Sequence, residues 1–158
     1  MKPQLVKALD QHKDVIKNLM QFYMYDFSAF IDMDVETDGL FQNYKNLDDY
    51  WNDENRFPYI IQQNEKYIGF VLVRLIETAT RKYFSIAEFF VMKKYRLSGV
   101  GRIIAYQIFD LHKGNWEVFQ KETNKPAQQF WRKVIDKYTK GNFTEKFEDG
   151  KLGQLFKN

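Results

Sequence analysis

Apolar residues change period several times along the chain, and each change marks an element. Leu5-Val6-Lys7-Ala8 is predicted as a short first strand. Asp10 is placed to cap a helix, since Ile16, Leu19, Met20, Tyr23 and Phe27 follow at helical spacing. From Ser28 to about Asn46 the pattern breaks around Asp38-Gly39, and Leu47 to Trp51 has room for a short helix. Tyr59 to Gln62 and Tyr67 to Ile76 are predicted strands, with a hairpin turn at Asn64-Glu65-Lys66. The longer apolar run from Phe84 to Met92 is predicted as a central strand.

The period then lengthens again. Val100, Ile104, Ile108 and Leu111 make one helical stripe, and Lys113-Gly114 supplies its stop. Trp116 to Gln120 is a further short strand. Ala127, Phe130, Trp131, Val134, Ile135 and Tyr138 then mark a strongly amphipathic helix, with Asn124 as N-cap and Pro126 in its first turn. Phe143 to Phe147 and Lys151 to Phe156 predict a closing hairpin about Asp149-Gly150. This order is that of an α/β protein with a mixed sheet and helices on its faces. The 158 residues fit one domain, residues 1–158, without repeat or linker.

Composition removes several chemistries. There is no cysteine, which excludes disulfides, thiolate metal sites and cysteine nucleophiles and fits a cytoplasmic location. The start Met1-Lys2-Pro3-Gln4 leads into charged sequence, and no uncharged run approaches the roughly 18 residues of a membrane span, so neither a signal peptide nor a membrane partner is expected. His12 and His112 have no companions for a triad or a metal, so no metal is expected. The net charge of +3 hides an asymmetry. From Asp26 to Glu54 nine acids face the single base Lys45, a net −8, and the remaining residues carry +11. That positive charge is scattered and accompanies no nucleic-acid motif, so nucleic acid is not an expected partner.

The most informative stretch is Val91-Met92-Lys93-Lys94-Tyr95-Arg96-Leu97-Ser98-Gly99-Val100-Gly101-Arg102, which runs from strand through a glycine-containing turn into a helix. Consecutive backbone N–H groups there are suited to one oxyanion, and the positive end of the helix dipole adds to the attraction. Gly99 and Gly101 would let phosphate oxygens approach the backbone, while Lys93, Lys94, Arg96 and Arg102 add charge. It is neither a Walker loop nor a Rossmann fingerprint. Arg96-Leu97-Ser98-Gly99-Val100-Gly101 is similar to the R/Q-x-x-G-x-G/A signature of GNAT acetyltransferases, and it falls after the fourth strand as in that family. Asn124 to Trp131 resembles the N-x-x-A-x-x-x-Y helix start of the same family in all but its last position.

The resemblance implies a single-domain GNAT-like fold: a mixed, mostly antiparallel twisted sheet with helices on both faces. It implies acetyl-CoA as co-substrate, with the pantetheine arm along Phe89, Phe90 and Val91. The pyrophosphate would lie on Arg96, Leu97, Ser98, Gly99, Val100, Gly101 and Arg102, and Asn124 would sit near the pantetheine. The Phe89 N–H would polarise the thioester carbonyl. Two positions depart from the family pattern. Trp131 stands where many members have an acidic tyrosine, and an indole N–H donates a hydrogen bond without giving up its proton. Tyr138 shares its face but is roughly 10 Å further along the helix. Ser85 matches the place of a glutamate base, whereas Glu88 falls on the other side of a strict alternation unless a bulge intervenes. Phe89 and Glu88 are therefore the catalytic candidates. The expected activity is N-acetyl transfer to a small-molecule or peptidic primary amine. The acidic, aromatic-dotted segment suits a cationic acceptor such as a polyamine, an aminoglycoside or a basic peptide. The alternative is a GNAT-fold module that binds acetyl-CoA without chemistry, as sensor or protein partner. A homodimer stays open as a further partner.

Overall fold

The computed structural model describes residues 1–158. Its elements are β1 Gln4–Lys7, α1 Lys13–Phe27, α2 Asp49–Asn52, β2 Arg56–Gln63, β3 Lys66–Glu77, β4 Lys82–Val91, α3 Val100–Leu111, β5 Asn115–Lys121, α4 Lys125–Thr139, β6 Thr144–Glu148 and β7 Lys151–Lys157. The strands form one sheet in the order β1-β2-β3-β4-β5-β7-β6. Every neighbouring pair is antiparallel except β4 and β5. Both short hairpins turn on two residues of positive φ, Asn64-Glu65 and Asp149-Gly150, the twist that suits two-residue loops. No helix is long and apolar enough to cross a membrane.

Helices cover both faces, as expected. On one, Val71, Val73 and Ile86 pack with Ile104 and Ile108 of α3 and with Trp131 and Ile135 of α4. On the other, Ile60, Phe70, Leu72 and Phe90 pack with Ile16, Met20 and Met24 of α1 and with Tyr50 of α2. Successive β3 residues feed opposite cores, which is why that strand is an unbroken apolar run. Two local expectations fail. Asp10 opens a short 3-10 turn, Asp10–His12, ahead of α1 and caps nothing; the imidazole Nδ1 of His12 instead accepts the Leu9 N–H at 2.9 Å. Leu111, the last residue of α3, is exposed, and the buried stripe is completed by Ala105 and Phe109.

The feature that shapes the site is the parting of β4 from β5. The two strands pair only at Phe84 and Trp116. One residue on, the Ser85 hydroxyl donates to the Glu117 carbonyl at 2.7 Å. Beyond that the strands separate, and β5 pairs along all of its length with β7. Aromatic rings fill the space beneath the gap: Phe89 lies 5.0 Å from the Trp131 ring and 5.8 Å from the Phe130 ring.

Candidate functional site

The loop before α3 matches its sequence signature in shape but not in every role. None of the six backbone N–H groups from Leu97 to Arg102 has an acceptor within the chain; the first α3 bond is Ile103 N–H to the Gly99 carbonyl at 3.1 Å. Leu97 and Gly99 have positive φ, 62° and 87°, and Leu97 is fully exposed. A Cβ on Gly99 would have nothing nearer than an Arg102 nitrogen at 3.9 Å. Six free donors, an open approach and a helix dipole fit a pyrophosphate. Lys93, Lys94 and Arg102 are exposed and flank the loop.

Three assigned roles change. Arg96 does not extend its guanidinium to the loop: Nε donates to the Val91 carbonyl at 2.7 Å, and the group pairs with Asp26 of α1 over the Phe90 ring. Gly101 is required by packing, since a Cβ there would lie 2.9 Å from the Phe130 ring. Phe90 cannot offer its N–H to a ligand in the gap. Met92 N–H donates to the Ile68 carbonyl on β3 at 2.8 Å. By alternation Phe90 also faces β3, while the N–H groups of Phe89 and Val91 face the gap.

On the other side of the gap Glu88 is brought into play by a bulge. The register of β3 and β4 shifts between Leu72, opposite Glu88, and Val73, opposite Ile86, so Ala87 is the extra residue. Ile86 packs on the α3/α4 side and Ala87 on the α1 side. Strict alternation therefore fails, and Ser85, Ala87 and Glu88 all line one cleft of about 530 Å³. Tyr23 and Met24 of α1, Met33 and Tyr44 of the following loop, Phe89, Asn124 and Trp131 complete much of its wall. The Tyr44 hydroxyl donates to Glu88 Oε1 at 3.1 Å. Burial pushes the Glu88 carboxyl above the ordinary range, against the opposing influence of the Tyr23 and Tyr44 hydroxyls. Burial, reinforced by the Glu88 charge, drives both tyrosine pKa values upward, so both stay protonated as donors. Neither tyrosine was legible as a site residue, because nothing local links them to β4.

The remaining candidates separate cleanly. Asn124 caps α4 by accepting the Ala127 N–H at 3.1 Å, and it also lines the cleft. Trp131 lines the cleft, and its indole N–H has no acceptor in the chain. Tyr138 lies elsewhere, donating to Asp110 at 2.9 Å and packed on Phe109. Burial lowers the His112 pKa, and its Nε2 lies 2.7 Å from the Tyr59 hydroxyl. Of the acidic segment, Asp26, Asp48 and Asp53 are spent on Arg96, Lys13 and Arg56. Asp32, Asp34 and Glu36 take part in no ion pair and line a second recess, which shares Met24, Met33 and Tyr44 with the first.

A parallel strand pair that parts above a donor-rich helix start is the arrangement that the resemblance implied, and the comparisons agree on the fold. The model of the acetyltransferase (GNAT) family matches residues 17–135, and the chain belongs to that family. Among solved structures it is similar to an acetyltransferase of Thermus thermophilus, with TM-score 0.72 and 14% identity over 100% of this chain and 98% of that one. It is also similar to the PaiA N-acetyltransferase of Thermoplasma acidophilum in complex with coenzyme A, with TM-score 0.67 and 9% identity over 100% of both chains. A GNAT-family acetyltransferase of Staphylococcus aureus Mu50 follows, with TM-score 0.63 and 13% identity over 96% and 97%. At such identities the likeness is one of fold. No curated protein matches.

The free donors can be blocked without forcing the backbone. Ser98 needs no positive φ, and an aspartate ahead of α3 suits the helix dipole. Ser98→Asp should weaken coenzyme A binding by about a hundredfold in calorimetry, with the melting temperature retained. Unchanged affinity would remove the pyrophosphate from this loop.

Proposed function

We propose that the protein transfers an acetyl group from acetyl-CoA to a primary amine, with Glu88 as the base. The observation that carries this reading is the placement of the Glu88 carboxylate in the cleft beneath the parted strands, on the same stretch of β4 as the gap-facing Phe89 N–H. When bound, acetyl-CoA supplies a thioester activated toward amines. The N–H groups of Leu97 to Arg102 hold its pyrophosphate, and those of Phe89 and Val91 receive the arm. The Phe89 N–H is the donor available to the thioester oxygen. Glu88 takes a proton from the amine, for which a raised pKa is an advantage near neutrality. Tyr23 and Tyr44 hold its carboxylate in place. The Trp131 N–H is available to donate a hydrogen bond to sulfur, without transferring its proton. Glu88 weighs against a binding module without chemistry, the reading that Trp131 and Ser85 suggest in the sequence.

Glu88 must be ionised to act, so kcat/KM should rise with pH through a value above the ordinary glutamate range of about 4.3. Glu88→Gln should lower kcat/KM by about 10²–10⁴ and remove that acid limb. Because the folded pKa is raised, its ionisation costs native stability as pH climbs through it. The variant should therefore melt no lower than the parent at neutral pH. A loss under tenfold, with the limb intact, would rule Glu88 out.

The acceptor side is open to charge. Asp32, Asp34 and Glu36 beside the shared Tyr44 wall support an acceptor with a cationic group beyond the reacting amine. Reversing all three to lysine should raise KM for a diamine and weaken its salt dependence, while a neutral-bodied amine of equal length is unaffected. Equal responses from both amines, or none, would make these acids a solvated surface.

A further inference from the structure

The Glu88 cleft is also lined by three cations that form no ion pair. Arg74 on β3, Lys121 at the end of β5 and Lys151 at the start of β7 all line it. None belongs to any ion pair of the molecule, and none of the three side chains makes a hydrogen bond. Lys121 and Lys151 face each other directly in the antiparallel ladder. Facing positions are about 5 Å apart at Cα, and like charges there destabilise the sheet.

Neighbouring acids do not relieve this. Glu148, the β6 partner of Lys151, takes Lys146 at 3.1 Å. Glu117, on the same face of β5, is held by Lys146 at 2.8 Å and Arg81 at 3.3 Å. The Lys151 charge acts across the cleft on Glu88, lowering its pKa in opposition to burial. The ionisable groups that line the cleft with Glu88 are Tyr23 from α1, Tyr44 from the loop, Arg74 from β3, Tyr83 from β4, Lys121 from β5 and Lys151 from β7. Lys121 and Lys151 are both exposed, at the strand ends that border the cleft, and so are free to meet an anionic ligand.

We infer that the acceptor carries a carboxylate, bound by Lys121, Lys151 and Arg74, while its amine faces Glu88. The class this describes is an amino acid. Two point charges and one planar guanidinium suit a carboxylate, and the cleft is of small-molecule size. The recess beyond Tyr44 is lined by Asp32, Asp34 and Glu36 against the one base Lys45; with this net-negative recess taking a second amine, the combined charges match a diamino acid. Calling the ligand an acceptor rests on the acetyl-transfer reading; the anion site does not.

Three ligands separate the contributions: free lysine, its methyl ester and 1,5-diaminopentane. They share one carbon chain and differ in carrying a carboxylate, a neutral ester or neither. Coenzyme A-loaded protein is titrated with each by calorimetry, and turnover is followed separately with acetyl-CoA. The parent should bind lysine at least about tenfold more tightly than the ester or the diamine. Lys121→Met with Lys151→Met should erase that preference, leave coenzyme A affinity unchanged and melt no lower than the parent, since a repulsive pair is removed. Equal binding of all three by the parent, no binding of lysine, or a preference that survives in the double variant would overturn the anion site. Lysine preference in binding without turnover of any amine would overturn acetyl transfer and leave the anion site standing. Turnover without acid preference would do the reverse.

Discussion

Parallel strands that pair at one point and then part leave backbone donors facing open space. An unpaired N–H shielded from water costs about 1–3 kcal/mol, so the chain must give such groups to solvent or to a ligand. Here β4 and β5 part after Phe84 and Trp116, and the N–H groups of Phe89 and Val91 are left facing the gap. The gap is wedged by rings, not by backbone. Phe89 rests on Trp131 and Phe130, and Phe130 in turn occupies the space that a side chain at residue 101 would need. One interlock therefore holds the strands apart and sets α4 against the start of α3. The gap-facing edge of β4 and the donor-rich loop before α3 are two products of the same packing.

The opposite wall depends on the same strand. The bulge at Ala87 turns Ser85, Ala87 and Glu88 into the cleft together, so the strand whose edge offers donors to the gap also presents a carboxyl group to the cleft. Glu88 is not held by β4 alone. Tyr44, from the irregular segment after α1, donates a hydrogen bond to it, and Tyr23 of α1 lines the same cleft. Arg96 ties the same α1 to the cofactor side, through Asp26 at one end of its guanidinium and the Val91 carbonyl at the other. Its charge is spent on holding the two halves together, leaving Lys93, Lys94 and Arg102 as the free cations near the loop.

Most elements, the order of the fold and the donor loop were legible because each is local. Period, caps and turn residues report on neighbours within a few positions. What stayed hidden is tertiary. A bulge adds one residue and inverts the face of everything before it, so alternation misassigned Ser85 relative to Glu88. The reason for Gly101 lies on α4, far along the chain, and the engagement of Arg96 lies 70 residues back at Asp26. Lys121 and Lys151 sit at opposite ends of the α4–β6 stretch. Only the β5–β7 register makes them a pair. Tyr44 falls in a segment whose composition announces charge and aromaticity but gives no direction for any one side chain.

The central claim is that the parted β4 edge and the loop before α3 form one continuous set of backbone donors for one ligand. Amide chemical shifts of the labelled protein, recorded during a coenzyme A titration, test this most directly. The account predicts that Phe89, Val91 and the amides from Leu97 to Arg102 shift together with a single dissociation constant. Phe90, whose N–H is committed to β3, should move far less. Shifts confined to the loop, or a Phe90 response as large as those of its neighbours, would contradict it.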